Sequence, residues 1–98
     1  MNDEQEYVAD LCAYLYGARP RKVLPFQLNL PVSTTIKKRL FVISYVSDAG
    51  GYITLSCQGT NVNTLVGSTS GIDGLIYTMC DELSTSGANV VTGYECIY

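Results

Sequence analysis

Histidine and tryptophan are absent from the 98 residues, and only 15% of the chain is charged. Without histidine there is no His-based zinc site, no Ser–His or Cys–His nucleophile pair, and no imidazole acid–base chemistry near neutral pH. No apolar run approaches the roughly 18 residues that a membrane-spanning helix needs. The opening residues, Met1-Asn2-Asp3-Glu4-Gln5-Glu6, are acidic where a secretory signal is basic and then apolar. These features predict a cytoplasmic protein whose four cysteines, Cys12, Cys57, Cys80 and Cys96, are reduced thiols. None of them has C-x-x-C spacing. No cofactor, metal or small-molecule substrate is expected, and no contact with a membrane.

The scarcity of charge has a second consequence. Typical domains carry about 25% charged residues, so the surface here must be rich in Ser, Thr, Asn, Gly and Tyr. Such a surface loses little on desolvation and suits contact with other protein chains. The length allows one domain, residues 1–98, with a single modest core. Low charge and plentiful β-branched and aromatic residues argue against disorder.

Local patterns predict the elements. Asn2 to Gly17 reads as an amphipathic helix with Tyr7, Val8, Leu11, Cys12 and Leu15 on one face. Asn2 and Gln5 fit a capping box, and Gly17 with Pro20 fits a stop. Residues 23–30 alternate as a strand, and Pro25 places that strand at a sheet edge. In residues 37–46, Leu40-Phe41-Val42-Ile43 is apolar on both faces, as in a central strand covered on two sides. Ser47-Asp48-Ala49-Gly50-Gly51 reads as a hairpin turn into a strand with Ile53, Leu55 and Cys57 inward. Residues 59–71 read as loop-like, with Val62, Leu65 and Val66 able to make a short extra strand or to tuck under the sheet. Ser70 and Asp73 fit a capping box for a second helix carrying Ile72, Leu75, Ile76, Met79, Cys80 and Leu83. A last strand runs from Asn89 to Ile97. The fold class expected is therefore α+β: a mostly antiparallel four-stranded sheet with two helices packed on one face, in the order α-β-β-β-α-β.

The charges are segregated. All six basic residues, Arg19, Arg21, Lys22, Lys37, Lys38 and Arg39, lie in one span that contains no acid, and all nine acids lie outside it. Antiparallel pairing of strands 23–30 and 37–46 would put Arg21-Lys22 and Lys37-Lys38-Arg39 near opposite ends of a basic edge, unless the intervening loop folds back. Three roles fit that edge. The cations can guard an exposed strand. They can face an acidic surface such as the first helix of a neighbouring copy, giving a homo-oligomer or larger protein assembly. They can contact nucleic acid or another phosphate, although the net charge of −3 and the lack of tryptophan weigh against this.

Other candidates carry less. Cys12, Cys57 and Cys80 fall on inward faces and read as structural thiols, with Cys96 less constrained. Asp81-Glu82 with Asp73 reads as a solvated helix face rather than a cation site. Gly67-Ser68-Thr69-Ser70-Gly71 resembles an anion cradle but lacks the lysine of a P-loop. Tyr14 and Tyr16 lie off the main helix stripe and are candidate interface anchors.

In outline, the opening helix Glu4–Gly17, the Leu24–Val46 strand pair and the late helix Ile72–Leu83 feeding a final strand resemble small tail-terminator or head–tail joining proteins of tailed bacteriophages. That resemblance implies a non-enzymatic viral structural protein that forms rings through edge strands and complementary charge, in host cytoplasm or virion. The alternative is a small inhibitor that uses its basic edge on nucleic acid or a nucleic-acid-binding host complex.

Overall fold

A computed structural model describes residues 1–30, 34–47, 51–66, 74–86 and 89–98. Among them, one helix, α1 (Asp3–Tyr16), is followed by eight strands: β1 (Lys22–Leu30), β2 (Thr35–Ile36), β3 (Leu40–Ser47), β4 (Tyr52–Cys57), β5 (Thr60–Val66), β6 (Gly74–Cys80), β7 (Glu82–Ser86) and β8 (Asn89–Ile97). They form two antiparallel four-stranded sheets, ordered β1-β8-β3-β6 and β2-β7-β4-β5. The expected single sheet with two helices is therefore incorrect. The protein is mostly β, a sandwich of two sheets with one helix on the outer face of the first.

The opening helix forms as its sequence directs. The Asn2 side chain accepts from Gln5 N at 2.8 Å, and the Gln5 side chain accepts from Asn2 N at 2.9 Å, completing the capping box. Gly17 ends the helix in the left-handed region at φ 78°, its N–H bonded to the Ala13 carbonyl. Val8, Ala9 and Cys12 are buried against Val23, Phe41, Met79 and Cys96 of the first sheet. Tyr7, expected on that stripe, stays 58% exposed, with its ring edge-on to that of Phe41.

The second core lies between the sheets: Leu40, Val42, Tyr45, Ile53, Leu55, Cys80, Leu83 and Val91. Leu40 and Val42 face this core while Phe41 faces the helix, so β3 is covered on both sides, as its apolar run indicates. Pro25 lies in β1, which is an edge strand.

The late helix is where the sequence pattern misleads most. Residues 74–86 are two strands, because a stripe of Ile76, Met79, Cys80 and Leu83 also satisfies period two when the strand is buried on both faces. Ile76 and Cys80 belong to the inter-sheet core, and Met79 belongs to the helix side. Threonine, tyrosine and isoleucine favour this outcome, since branching at Cβ and bulky rings lose rotamer freedom in a helix. Ser70, Asp73 and the 67–71 cradle lie outside the described residues. The expected hairpin between β3 and β4 is also corrected, since the two strands lie in different sheets. The hairpin that does form joins β4 to β5 through Gln58 and Gly59, both at positive φ (52° and 81°), and β5 covers the stretch where Val62, Leu65 and Val66 allowed a short extra strand.

A candidate basic contact site

Strand order decides where the six cations sit. β1 and β3 do not pair with each other; each pairs antiparallel with β8 from opposite sides. Glu95 has Leu24 as its partner on one side and Leu40 on the other, so β1 and β3 enter the sheet from the same end. Arg21-Lys22, just before and at the start of β1, and Lys37-Lys38-Arg39, just before β3, therefore converge. The expectation that they sit at opposite ends assumed a direct pairing that the inserted β8 replaces.

The cations differ in what holds them. Arg19 forms ion pairs with Glu6 and Asp10 of α1. Arg39 is held between two rings, its guanidinium carbon 4.3 Å from the Tyr16 centroid and 4.6 Å from that of Tyr98. Lys38 lies 3.9 Å from Glu95, a long and exposed contact worth little. Arg21, Lys22 and Lys37 are exposed and make no ion pair among the described residues. Acids share the same end: Asp81 accepts from Gln58 N at 2.9 Å, and Glu82 lies opposite Ser56.

Tyr16 and Tyr14 separate in role. Tyr14 is 85% exposed. Tyr16 packs at the margin of the helix-side core, with its hydroxyl 3.2 Å from Cys57 Sγ. Tyr98 contacts Cys12 Sγ at 2.8 Å and donates to the Ala18 carbonyl at 2.9 Å. Gln58 donates from its side chain to the Leu15 carbonyl at 2.6 Å, tying the β4–β5 turn to the end of α1. The positioning roles of Gln58, Glu95 and Tyr98 had no local signal, because each depends on strand order. The result is an end in which helix, turn and last strand hold Arg39, while Arg21, Lys22 and Lys37 make no ion pair among the described residues.

Cys80 and Cys96 hold their protons more tightly than an ordinary thiol. Burial pushes Cys80 from its ordinary 9.0 to about 12, with Asp81 adding to the effect. Burial and then Cys12 do the same for Cys96. A thiol whose value is raised by folding contributes its stability fully below the unfolded value and loses it as pH climbs toward the folded one. The urea midpoint is accordingly expected to fall between pH 9 and pH 12. Cys80, which is fully buried, should supply on the order of a few kcal/mol of that loss. Cys80→Ala should lower the midpoint at neutral pH and flatten its alkaline decline; an unchanged decline would show that other groups drive it.

No group of three or more Cys, Asp or Glu residues able to hold a metal occurs among the described residues. No helix among them is long and apolar enough to cross a membrane. Comparison with protein-family models, curated proteins and solved structures gives no match.

Proposed function

We propose that the chain is a non-enzymatic contact protein that docks through its basic end onto an acidic protein surface, that of a neighbouring copy in a structural assembly such as a phage tail or head–tail joint. The observation that carries this is the convergence of two basic segments at one end of the first sheet, where Arg21, Lys22 and Lys37 make no ion pair among the described residues. The exposed stripe of α1, with Asp3, Tyr7, Asp10 and Tyr14 at helical spacing, offers acids and rings of the complementary kind. Arg19 already engages Asp10 within the chain, which leaves the exposed Asp3 and the outward parts of Tyr7 and Tyr14 as the surface that stripe offers.

Rim charges act mainly through long-range attraction that salt screens. Light scattering is expected to find self-association that weakens as salt rises. In the triple variant Arg21→Glu, Lys22→Glu, Lys37→Glu it should weaken by roughly tenfold or more, from up to about 1 kcal/mol per exposed contact. Association indifferent to both salt and the triple variant would end this reading. Binding of a single-stranded oligonucleotide by the unmodified chain, lost in the triple variant, would favour the inhibitor reading instead. The convergence of the cations supports that reading too, while Asp81, Glu82 and Glu95 at the same end weigh against it.

A further inference from the structure

Tyr77 holds a backbone conformation that bulky residues rarely adopt. Its φ is 49°, in the left-handed region, where Cβ crowds the following carbonyl oxygen. It lies in the edge strand β6, opposite the point where the β3–β6 register shifts between Val42 and Ser44. Outliers of this kind persist only where the surrounding structure imposes them, and they collect at ligand clamps and other functional sites.

The strained residue presents its ring close to that of Tyr7. Both rings pack on Phe41, with centroids at 6.2 Å for Tyr77 and 6.0 Å for Tyr7. Phe41 is buried, whereas both tyrosines are more than half exposed. Two open rings, one from α1 and one from β6, thus flank a closed floor. Acids stand beside them. Asp3 precedes Tyr7 by one helical turn, on the same side of α1, exposed and without an ion pair among the described residues. Tyr94, the register partner of Phe41 on β8, donates to Glu4 Oε1 at 2.6 Å and so holds a second carboxylate near this floor.

The molecule already shows what a pair of tyrosines can hold, since Tyr16 and Tyr98 take the Arg39 guanidinium between them at 4.3 Å and 4.6 Å. Among the described residues, no cation lies over Tyr7 or Tyr77.

We infer that Tyr7, Tyr77 and Asp3 form a receptor for the Arg21 guanidinium of a neighbouring copy. The inference rests on the docking of the basic end proposed above and names its acceptor. Charge selects the occupant: ring faces are electron-rich and carboxylates are negative, so the receptor attracts a cation and repels phosphate or an acidic segment. Of Arg21, Lys22 and Lys37, the arginine suits it best. A guanidinium is flat, weakly hydrated and stacks on rings, while an ammonium is compact and strongly hydrated. The receptor and the basic end are different surfaces, so the contact runs head to tail from copy to copy.

Sedimentation equilibrium at low salt separates this receptor from docking by charge alone. Arg21→Lys keeps the charge but loses the flat guanidinium, and should raise the dissociation constant by roughly threefold to tenfold. Tyr77→Asn removes the ring with a residue that tolerates the left-handed backbone, and should raise it by roughly tenfold with the urea midpoint little changed. A purely structural Tyr77 would move the midpoint and leave the dissociation constant alone. In the unmodified chain, the ring-proton resonances of Tyr7 and Tyr77 should shift as concentration rises, and should stay fixed in the Arg21/Lys22/Lys37 triple variant. That readout needs no change at either tyrosine. Parent-like association in both Arg21→Lys and Tyr77→Asn, or ring resonances indifferent to concentration, would overturn the inference. Docking by charge would survive that result if salt and the triple variant still weakened association. A parent chain with no salt-sensitive association would remove both.

Discussion

Gly93→Ala is expected to destabilise the protein by about 3 kcal/mol or more, the severe end of overpacking. Gly93 lies in the middle of β8, opposite Phe26 on one side and Val42 on the other. A methyl group added there would fall well inside contact distance of the Phe41 carbonyl oxygen, 3.0 Å from the Phe41 carbonyl carbon and 3.1 Å from Val42 Cα. All three are backbone atoms of β3, so no side-chain rotation relieves the overlap. β3 would have to move, and it carries both cores. Since small domains are stable by only about 5–15 kcal/mol, a substantial part of that margin is at risk. Gly17→Ala is the fitting control. Nothing lies within 4 Å of its added methyl, and its cost is only the left-handed backbone, about 1–2 kcal/mol. Urea titration of both variants decides the point, and equal midpoints would contradict the argument.

Phe41→Ala should cost about 3–5 kcal/mol. Phe41 is the largest fully buried side chain on the helix side, packed with Val8, Cys12 and Met79. Its ring receives the edge of Tyr7 at 6.0 Å and 80°, and lies 6.2 Å from Tyr77. Removal leaves a cavity directly under α1 and unsupports both exposed tyrosines. The loss should therefore be uneven. Amide exchange in α1 is expected to rise well before that of β4 and β7, which rest on the other core. Leu55→Ala, in the inter-sheet core, should cost a comparable amount and leave α1 no looser than the rest. If both variants loosen the molecule uniformly, the helix and the sandwich form one cooperative unit.

These two residues also show how far the sequence could be read. The run Leu40–Ile43 announces a strand with two apolar faces, and Phe41 is apolar on the second face because a helix covers it. The cap at Asn2–Gln5 and the edge position of Pro25 were legible for the same reason: each is settled by neighbours in the chain. The segment after residue 70 was not. There the spacing of Ile76, Met79 and Cys80 suits a helix face and a doubly buried strand equally, and only the presence of a second sheet decides between them. Gln58 is an unusual residue for positive φ, so the turn it makes with Gly59 was hidden. For the candidate site, the chain order displayed the segregation of the cations, but their convergence depends on β8 lying between β1 and β3, which no local pattern records. Arg39 looked like one more surface charge, yet its ring partners come from the helix and from residue 98.

That central position of β8 bears on how the protein is made. Residues 89–97 leave the ribosome after every other strand, yet they form the ladder between β1 and β3. Until they emerge, β1 has no partner in its sheet, and β3 can pair only with β6. The pairing of residues 22–30 with 89–97 joins segments far apart in the sequence, and loop closure of that span is slow. During synthesis the apolar stretch around Phe26 and Leu28 is thus left waiting, and the uncharged β5 segment is already available to other nascent chains. Polysomes, where several copies grow side by side, are where premature strand pairing would first arise.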